Sequence, residues 1–480
     1  MHQANIYPSR NSYQKIAQAA KELNVDESLR FLDKIIQLIN RSKIQLEISS
    51  SIFEAQIQIY GSTGRFEHAL KTYSMIPRPV NSNCLTAIMN VCASSSPIRW
   101  REAISILHSS DILEDSIGPA NINSRALICA IFACSKANQW NEALNLLNLY
   151  ATTPFDGNLP PLVSVEAINS VIASAGRNGR PDVSLCILND MAKNYSVAPD
   201  TRSFRSAIMA CNQAEHARQR LKSRSLERID VPPESESHLQ WWEAALSLLR
   251  RMSESKPKLT PDIQTYSSVI SVCEAAGKWQ RALGILRFMS SKNSVGPLPN
   301  LYCFNAAIAA CEKGGAWVEG LDLYERMQSS LVNVQPNFIT LNSLLISLEN
   351  AGQRELAANI YEDALRDGIV RPWKYTLNSI GTRVLDLHQF SAPLAKTSIR
   401  SMMESLLLTQ PVHDIKKDLI IIVGKGNGSE RGHSVLSPLV KKVLLDEFNI
   451  TSDTDEWNAG RIVVRAQSLM AFVQAKSFLV

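Results

Sequence analysis

The chain has 480 residues, more than one hydrophobic core ordinarily holds, so several domains or a repeat array are expected. Apolar residues make up 45% and charged ones 20%, which permits a large core and excludes a wholly disordered or collagen-like chain. Fifty Lys+Arg against 45 Asp+Glu leave a net +5, so any nucleic-acid-binding surface has to be local.

No apolar run approaches the length of a bilayer span; the longest, at 419–423, is strand-sized, and no membrane partner is expected. The nine cysteines form no C-x-x-C pair and no metal-ligand cluster with His, which indicates a reducing compartment rather than a disulfide scaffold. Residues 1–49 read as an N-terminal helical or partly disordered segment. They carry Arg10 and Lys15 and no acid before Glu22, compatible with the tail of an organelle transit peptide.

From residue 50 the sequence repeats itself. INSVIASAGRNG at 168–179, YSSVISVCEAAGKWQRALGIL at 266–286 and FNAAIAACEKGGAWVEGLDLY at 304–324 share one register. Extending it gives eight units starting near Ser50, Ser82, Ser124, Val165, Thr201, Ile263, Leu301 and Phe338. Eleven residues into each unit stand Tyr60, Cys92, Cys134, Ala175, Cys211, Cys273, Cys311 and Leu348. The second half opens on Phe66, Trp100, Trp140, Trp242, Trp279 or Trp317, with Pro181 and Arg354 as exceptions. Three residues on comes a small side chain: Ala69, Ala103, Ala143, Ser184, Ala245, Ala282, Gly320 and Ala357. Within each half the apolar residues recur at three and four, which is helical spacing. Gly64, Asn138, Gly179, Gly277, Gly315 and Gly352 lie between the halves, where a turn needs positive φ. Each unit therefore reads as a helical hairpin whose small residue lets the two helices approach closely. The cysteine and tryptophan columns read as packing. One hairpin cannot bury its apolar face alone, so the predicted fold class is an α-α superhelical solenoid of hairpins over residues 50–373.

The fifth unit is split by an insertion at 212–240, its first half ending at Cys211 and its second resuming at Trp242. Arg218, Arg220, Lys222, Arg224 and Arg228 make the start of the insertion basic, and VPPESESH then breaks helix. It reads either as a solvated loop or as a phosphate-contacting arm.

Several units end in Pro199-Asp200, Pro261-Asp262, Pro299-Asn300 or Pro336-Asn337, and the next helix opens with a short polar residue at its fifth position. With units longer than the 34 residues of peptide-clamping tetratricopeptide arrays, this register resembles the pentatricopeptide repeat family. That resemblance implies single-stranded RNA as ligand, with the fifth and last residues of a unit jointly contacting the edge of one base. The pairs are Asn169 with Asp200, Ser267 with Asn300, and Asn305 with Asn337, which by the family's habits favour uracil, adenine and a pyrimidine; Asn342 stands at the fifth position of the eighth unit. Elsewhere that position holds Glu54, Thr86, Ile128 and Arg205, so no continuous target is expected.

Residues 374–480 change period. Strands are predicted at 383–388, 418–423 and 461–464 and helices at 393–408, at 437–448 and from 468, a small α/β layer fold. LDLH at 385–388, the helix bearing Ala395 and Arg400, IIVGKG at 421–426 and NAGRIVV at 458–464 resemble the small MutS-related (Smr) domain. Gln389 and Val423 stand where that family usually has glycine and threonine or histidine. In a strand, residues two apart share a face, so Asp386 and His388 are expected to project together. Gly424 and Gly426 would open a loop whose bare amides cradle a phosphate, with Lys425, Arg431 and His433 supplying charge. His388 is the candidate general acid or base, and Lys425 completes the candidate catalytic set. Asp386 would orient His388 or hold Mg²⁺. Binding of the nucleic-acid backbone without cleavage is the alternative. A pentatricopeptide array ending in such a domain resembles proteins of plastid and mitochondrial RNA processing. That implies organelle RNA as partner, with other organelle gene-expression proteins, or a protein-interaction scaffold instead.

Overall fold

The structure, a computed structural model, describes residues 27, 30, 34, 46–76, 80–109, 124–151, 163–225, 240–255, 258–291, 296–329, 334–375, 383–408, 417–424 and 434–477. Most of the 1–49 segment, the part of the insertion at 226–239, and Lys425, Gly426, Arg431 and His433 lie outside them.

The chain divides into two units, Met1–Val272 and Cys273–Val480. In the first, hairpins follow one another: α1 (Leu46–Ser62) with α2 (Phe66–Ser74), α3 (Ser82–Ser94) with α4 (Trp100–Ser109), α5 (Ser124–Lys136) with α6 (Trp140–Ala151), α7 (Val165–Arg177) with α8 (Pro181–Asn194), and α9 (Thr201–Ser225) with α10 (Trp241–Glu254). The helix α11 (Ile263–Ala275) begins the next hairpin. Each of the first helices α1, α3, α5 and α7 packs on the next first helix, and α2, α4, α6 and α8 each fill the groove between their own first helix and the following one. The second unit continues the pattern with α12 (Trp279–Met289), α13 (Leu301–Gly314), α14 (Trp317–Gln328), α15 (Phe338–Asn350) and α16 (Arg354–Arg366). The fold class is an α-solenoid of helical hairpins followed by a small α/β layer.

The turn residues behave as the spacing requires. Gly64, Asn138, Gly179, Gly277, Gly315 and Gly352 all have φ between 58° and 73°. The amide after each one donates back to the eleventh residue of its unit, as from Arg65 to Tyr60 at 2.9 Å, Gln139 to Cys134 at 2.9 Å and Ala316 to Cys311 at 2.9 Å. This six-to-one bond ends the first helix and starts the second in one step. Seven of the eight small-column residues are 0% exposed and Gly320 is buried with them. A methyl at Gly320 would sit 3.6 Å from Cys311 Cβ, so the column has room for alanine and little more. Burial pushes the thiols of Cys92, Cys134, Cys211, Cys273 and Cys311 up to about 12, which keeps them protonated and inert at neutral pH. The aromatic that opens a second helix reaches the next hairpin. Arg99 stacks on Phe66 and Arg180 on Trp140, each at 5.1 Å, and a Cβ at Gly314 would collide with Trp279 Cδ1.

One expectation is overturned. The first helix of the fifth unit does not end at Cys211; α9 runs 25 residues to Ser225. Glu215 stands at the turn position that holds Gly or Asn in six other units, and the Ala, Gln, Glu, Arg and Leu residues of this stretch favour helix. Glu215 on this extension is 2% exposed and lies 3.7 Å from Arg218.

In the terminal layer the described strands are β1 (Trp373–Tyr375), β2 (Arg383–Asp386), β3 (Leu419–Ile422), β4 (Asp453–Asp455) and β5 (Asn458–Val464), in the order β1-β2-β3-β5-β4. Only β2 and β3 are parallel, and the helix α17 (Ala392–Leu408) makes the crossover that such a pair needs. With α18 (Leu436–Phe448) and α19 (Ala466–Ser477), α17 buries Ile399, Met403, Ile421, Val440, Leu444 and Ile462 in one core. The helix α17 also packs on α15 and α16. Arg400 reaches Glu349 at 2.7 Å and Glu447 at 2.7 and 2.8 Å, and the Tyr361 hydroxyl lies 2.8 Å from Ser398 Oγ.

Replacing Ala282 by Leu is expected to overpack the α11–α12 turn region and cost about 1–3 kcal/mol, read as a lower melting temperature, whereas Ala282→Gly should cost less.

Candidate nucleic-acid interface

Among the described unit ends, the last residue is the N-cap of the next first helix. Asp200 Oδ1 accepts from Ser203 N at 2.8 Å, and Asp200 N donates to Ser203 Oγ at 3.1 Å. Asn337 and Thr340 form the same reciprocal box, Asp262 accepts from both Thr265 N and Oγ1, and Asn300 accepts from Cys303 N at 3.1 Å. Capping explains these short polar side chains by itself. They do more than cap, because the fifth residue of the preceding first helix meets them. Asn169 Nδ2 donates to Asp200 Oδ1 at 3.1 Å, and Asn305 Nδ2 donates to Asn337 Oδ1 at 3.3 Å, with the Thr340 hydroxyl 2.6 Å from Asn305 Oδ1. Two of the three pairs expected from the sequence are thus in direct contact.

Asn169 is 8% exposed and its Oδ1 has no hydrogen-bond partner among the described residues; the enclosed Oδ1 of Asn342 likewise has none among them. A buried amide oxygen without a donor is costly, and both stand at the fifth position. The Ser267 hydroxyl bonds within its own helix, to Gln264 O at 3.0 Å. Burial raises the Asp200 carboxyl, but hydrogen bonds from the Ser203 amide and hydroxyl and from Asn169 outweigh it and hold the group below the usual carboxylate range.

A third contact of this kind escaped the sequence reading. Arg205, fifth in α9, donates Nη1 to Asp262 Oδ2 and Gln264 Oε1, both at 2.8 Å. The signal was available in Pro261-Asp262, which ends that unit as Pro199-Asp200 ends the one before.

In the terminal layer Asp386 and His388 come together, though not through strand alternation. The strand β2 stops at Asp386, which is 7% exposed, and its Oδ1 accepts from His388 N at 3.2 Å and pairs with His388 Nδ1 at 2.6 Å. A carboxylate accepts only, so the proton sits on Nδ1 and Nε2 is the basic nitrogen. Gly424, at φ 78°, lies against this histidine: a Cβ there would stand 3.5 Å from His388 Cβ. Its amide donates to Gly460 O at 3.2 Å, and three residues before Gly460 the β4–β5 turn carries Trp457, 93% exposed. All four lie at the C-terminal ends of the parallel strands, where open α/β sheets place ligands. Among the described residues no group of three His, Cys, Asp or Glu is placed to hold a metal, and Asp386 Oδ1 is engaged by His388.

These features define a helical-hairpin repeat protein with a terminal α/β layer. A family model described as a pentatricopeptide repeat domain matches residues 247–313, and one described as a PPR repeat matches 302–330. The chain carries pentatricopeptide repeats there. No curated protein matches it in sequence. Among solved structures it is similar to the pentatricopeptide repeat protein PPR10 from maize, at 15% identity and TM-score 0.40, over 99% of this chain and 65% of that one. The chain thus spans just under two thirds of the maize protein. It is also similar to the PPR domain of Arabidopsis thaliana protein-only RNase P 1 in complex with tRNA, at 14% identity and TM-score 0.32, over 45% of this chain and 94% of that one.

Acid titration checks the interface. The depressed Asp200 carboxyl contributes stability that is present above its unfolded value near 3.8 and is lost as pH falls through the lower folded value. Thermal denaturation between pH 2 and 6 should show a shallower acid loss for Asp200→Asn, which still caps, whereas Asp200→Ala should cost about 1 kcal/mol at neutral pH.

Proposed function

We propose that the chain is a sequence-selective single-stranded RNA-binding protein of organelle RNA processing or expression. It would work in a plastid or mitochondrion, and its terminal domain would be an Smr-like endonuclease. The observation that carries the RNA reading is the contact between fifth and last residues of a unit, Asn169 with Asp200 and Asn305 with Asn337. Such a pair presents amide donors, amide oxygens and a carboxylate from rigid helix starts, the groups that discriminate the edges of unstacked bases. The enclosed, partnerless Oδ1 of Asn169 supports it further, since a base N–H is the donor it lacks. Ser267 with Asn300, and Asn342, are assigned to the same ladder by their place in the register. The organelle setting rests on the family resemblance.

In the terminal domain His388 would transfer the proton through Nε2, and Asp386 would orient the ring and stabilise its charged form. Gly424 supports a phosphate-binding role by standing against His388 with a positive φ; Lys425, Gly426, Arg431 and His433 would complete that loop. Asp386 is assigned to orientation, the role its Oδ1 already has toward His388 Nδ1. Trp457 offers a base an exposed stacking face at the same end of the sheet.

Asn305→Ala should weaken a selected RNA about tenfold, roughly 1.4 kcal/mol, and a scrambled RNA hardly at all; equal losses on both contradict base reading. His388→Ala should slow cleavage of labelled RNA by about 10²–10⁴-fold. Background cleavage by both proteins would leave backbone binding as the terminal domain's role.

A further inference from the structure

We infer that Arg205 closes the base-reading position of the fifth unit, so that RNA passes this unit without base discrimination. The inference rests on the RNA reading above and concerns one position within it. The fourth and fifth units end in the same residue type, Asp200 and Asp262, and both aspartates cap the following helix through Oδ1. They differ in what the fifth residue does to the carboxylate. In the fourth unit Asn169 also bonds Oδ1, and Oδ2 takes no part in these contacts. In the fifth, Oδ1 is used by the Thr265 amide and hydroxyl, and Oδ2 is taken by Arg205 Nη1 at 2.8 Å. The second hydrogen of that Nη1 goes to Gln264 Oε1.

The chemical contrast is direct. The fourth unit holds an enclosed amide oxygen that lacks a donor, beside a carboxylate with one oxygen outside the cap. The fifth has no such amide: each carboxylate oxygen already accepts a hydrogen bond and the charge is neutralised by an arginine whose side chain is 25% exposed. A longer cation also fills the space that a short amide leaves to a base. A base would have to break an ion pair with charge-assisted hydrogen bonds to reach Asp262, and no base supplies a cation in return.

The test is selection from a random single-stranded RNA pool by the full chain and its variants. The column that loses its preference in Asn169→Ala belongs to the fourth unit, and the one lost in Ser267→Ala belongs to the sixth. The column between them is the fifth unit's. The wild type is expected to show all four bases there at similar frequency. Arg205→Asn recreates the Asn–Asp pair of the fourth unit and should enrich the same base as the fourth column, at least fivefold. Arg205→Lys keeps a cation on Asp262 and should stay without preference. Arg205→Ser also frees the carboxylate and should gain a preference, which serves if the Asn variant fails to fold. A wild-type preference in that column, guanine included, or a motif unchanged by both Arg205→Asn and Arg205→Ser, overturns the inference alone. A pool in which the wild type enriches no motif overturns the RNA reading, and this inference with it.

Discussion

The structure turns on one polar side chain per repeat, the residue just before each first helix. Folding needs it there, because the first amides of a helix have no carbonyl partner and a short oxygen-bearing side chain supplies one. Asp200, Asp262, Asn300 and Asn337 all do so. The same side chains then receive Asn169, Arg205 or Asn305 from the preceding first helix, through the capping oxygen itself in Asp200 and Asn337 and through the other carboxylate oxygen in Asp262. A capping bond therefore fixes the position and orientation of the groups that would meet a base. The pair is stiff because its inner member is already spent on the helix, and a stiff polar pair discriminates better than a mobile one. Variation at the outer member alone changes what the pair offers: an amide leaves atoms open, an arginine consumes them.

Stacking rests on a second constraint, close approach. The buried alanine, serine or glycine in the first turn of each second helix lies close to the column at position eleven, as Gly320 does to Cys311, and the carbonyl of that column ends the first helix. One residue thus sets both the turn and the spacing of the hairpin, which is why cysteine, alanine, leucine and tyrosine can alternate there without changing the fold. In the Cys273–Val480 unit the terminal layer is fastened to the last hairpin by Arg400 between Glu349 and Glu447, and by Tyr361 on Ser398. Hydrogen bonds donated by Arg400 to Glu447 and Glu349 outweigh burial and hold the guanidinium above its ordinary value, while Glu447 is held below its own. Deleting Arg400 would leave two carboxylates facing one another, a heavier cost than the pair's net worth. The Asp386–His388 dyad is carried on this fixed mount.

Much of this was legible in the sequence because repetition multiplies weak local signals. A single glycine says little; six Gly or Asn residues at one register position identify the turn, and all six have positive φ. The starts of seven first helices fall on the residues the period marks, and only α1 begins earlier, at Leu46. What the pattern did not show lies where local and long-range information separate. The extension of α9 to Ser225 follows from helix-forming residues without a terminator, which a search for repeat boundaries reads as insertion. The strands β1 and β4 are three residues each, too short for alternation to register, and exist through their pairing with β2 and β5. Arg205 and Asp262 are 57 residues apart, and the insertion between them hides that they are fifth and last of one unit. Asp386 and His388 lie together because the strand ends and a local hydrogen bond joins them, not because of alternation along a strand.

Bound RNA is expected to lie along the first helices, against the capping pairs. Ultraviolet crosslinking of a bound single-stranded RNA, followed by mass spectrometry of the peptide adducts, tests it most directly. Adducts should fall in peptides from Val165–Arg177, Ile263–Ala275, Leu301–Gly314 and Phe338–Asn350. Adducts confined to the second helices, Pro181–Asn194, Trp279–Met289, Trp317–Gln328 and Arg354–Arg366, would contradict it.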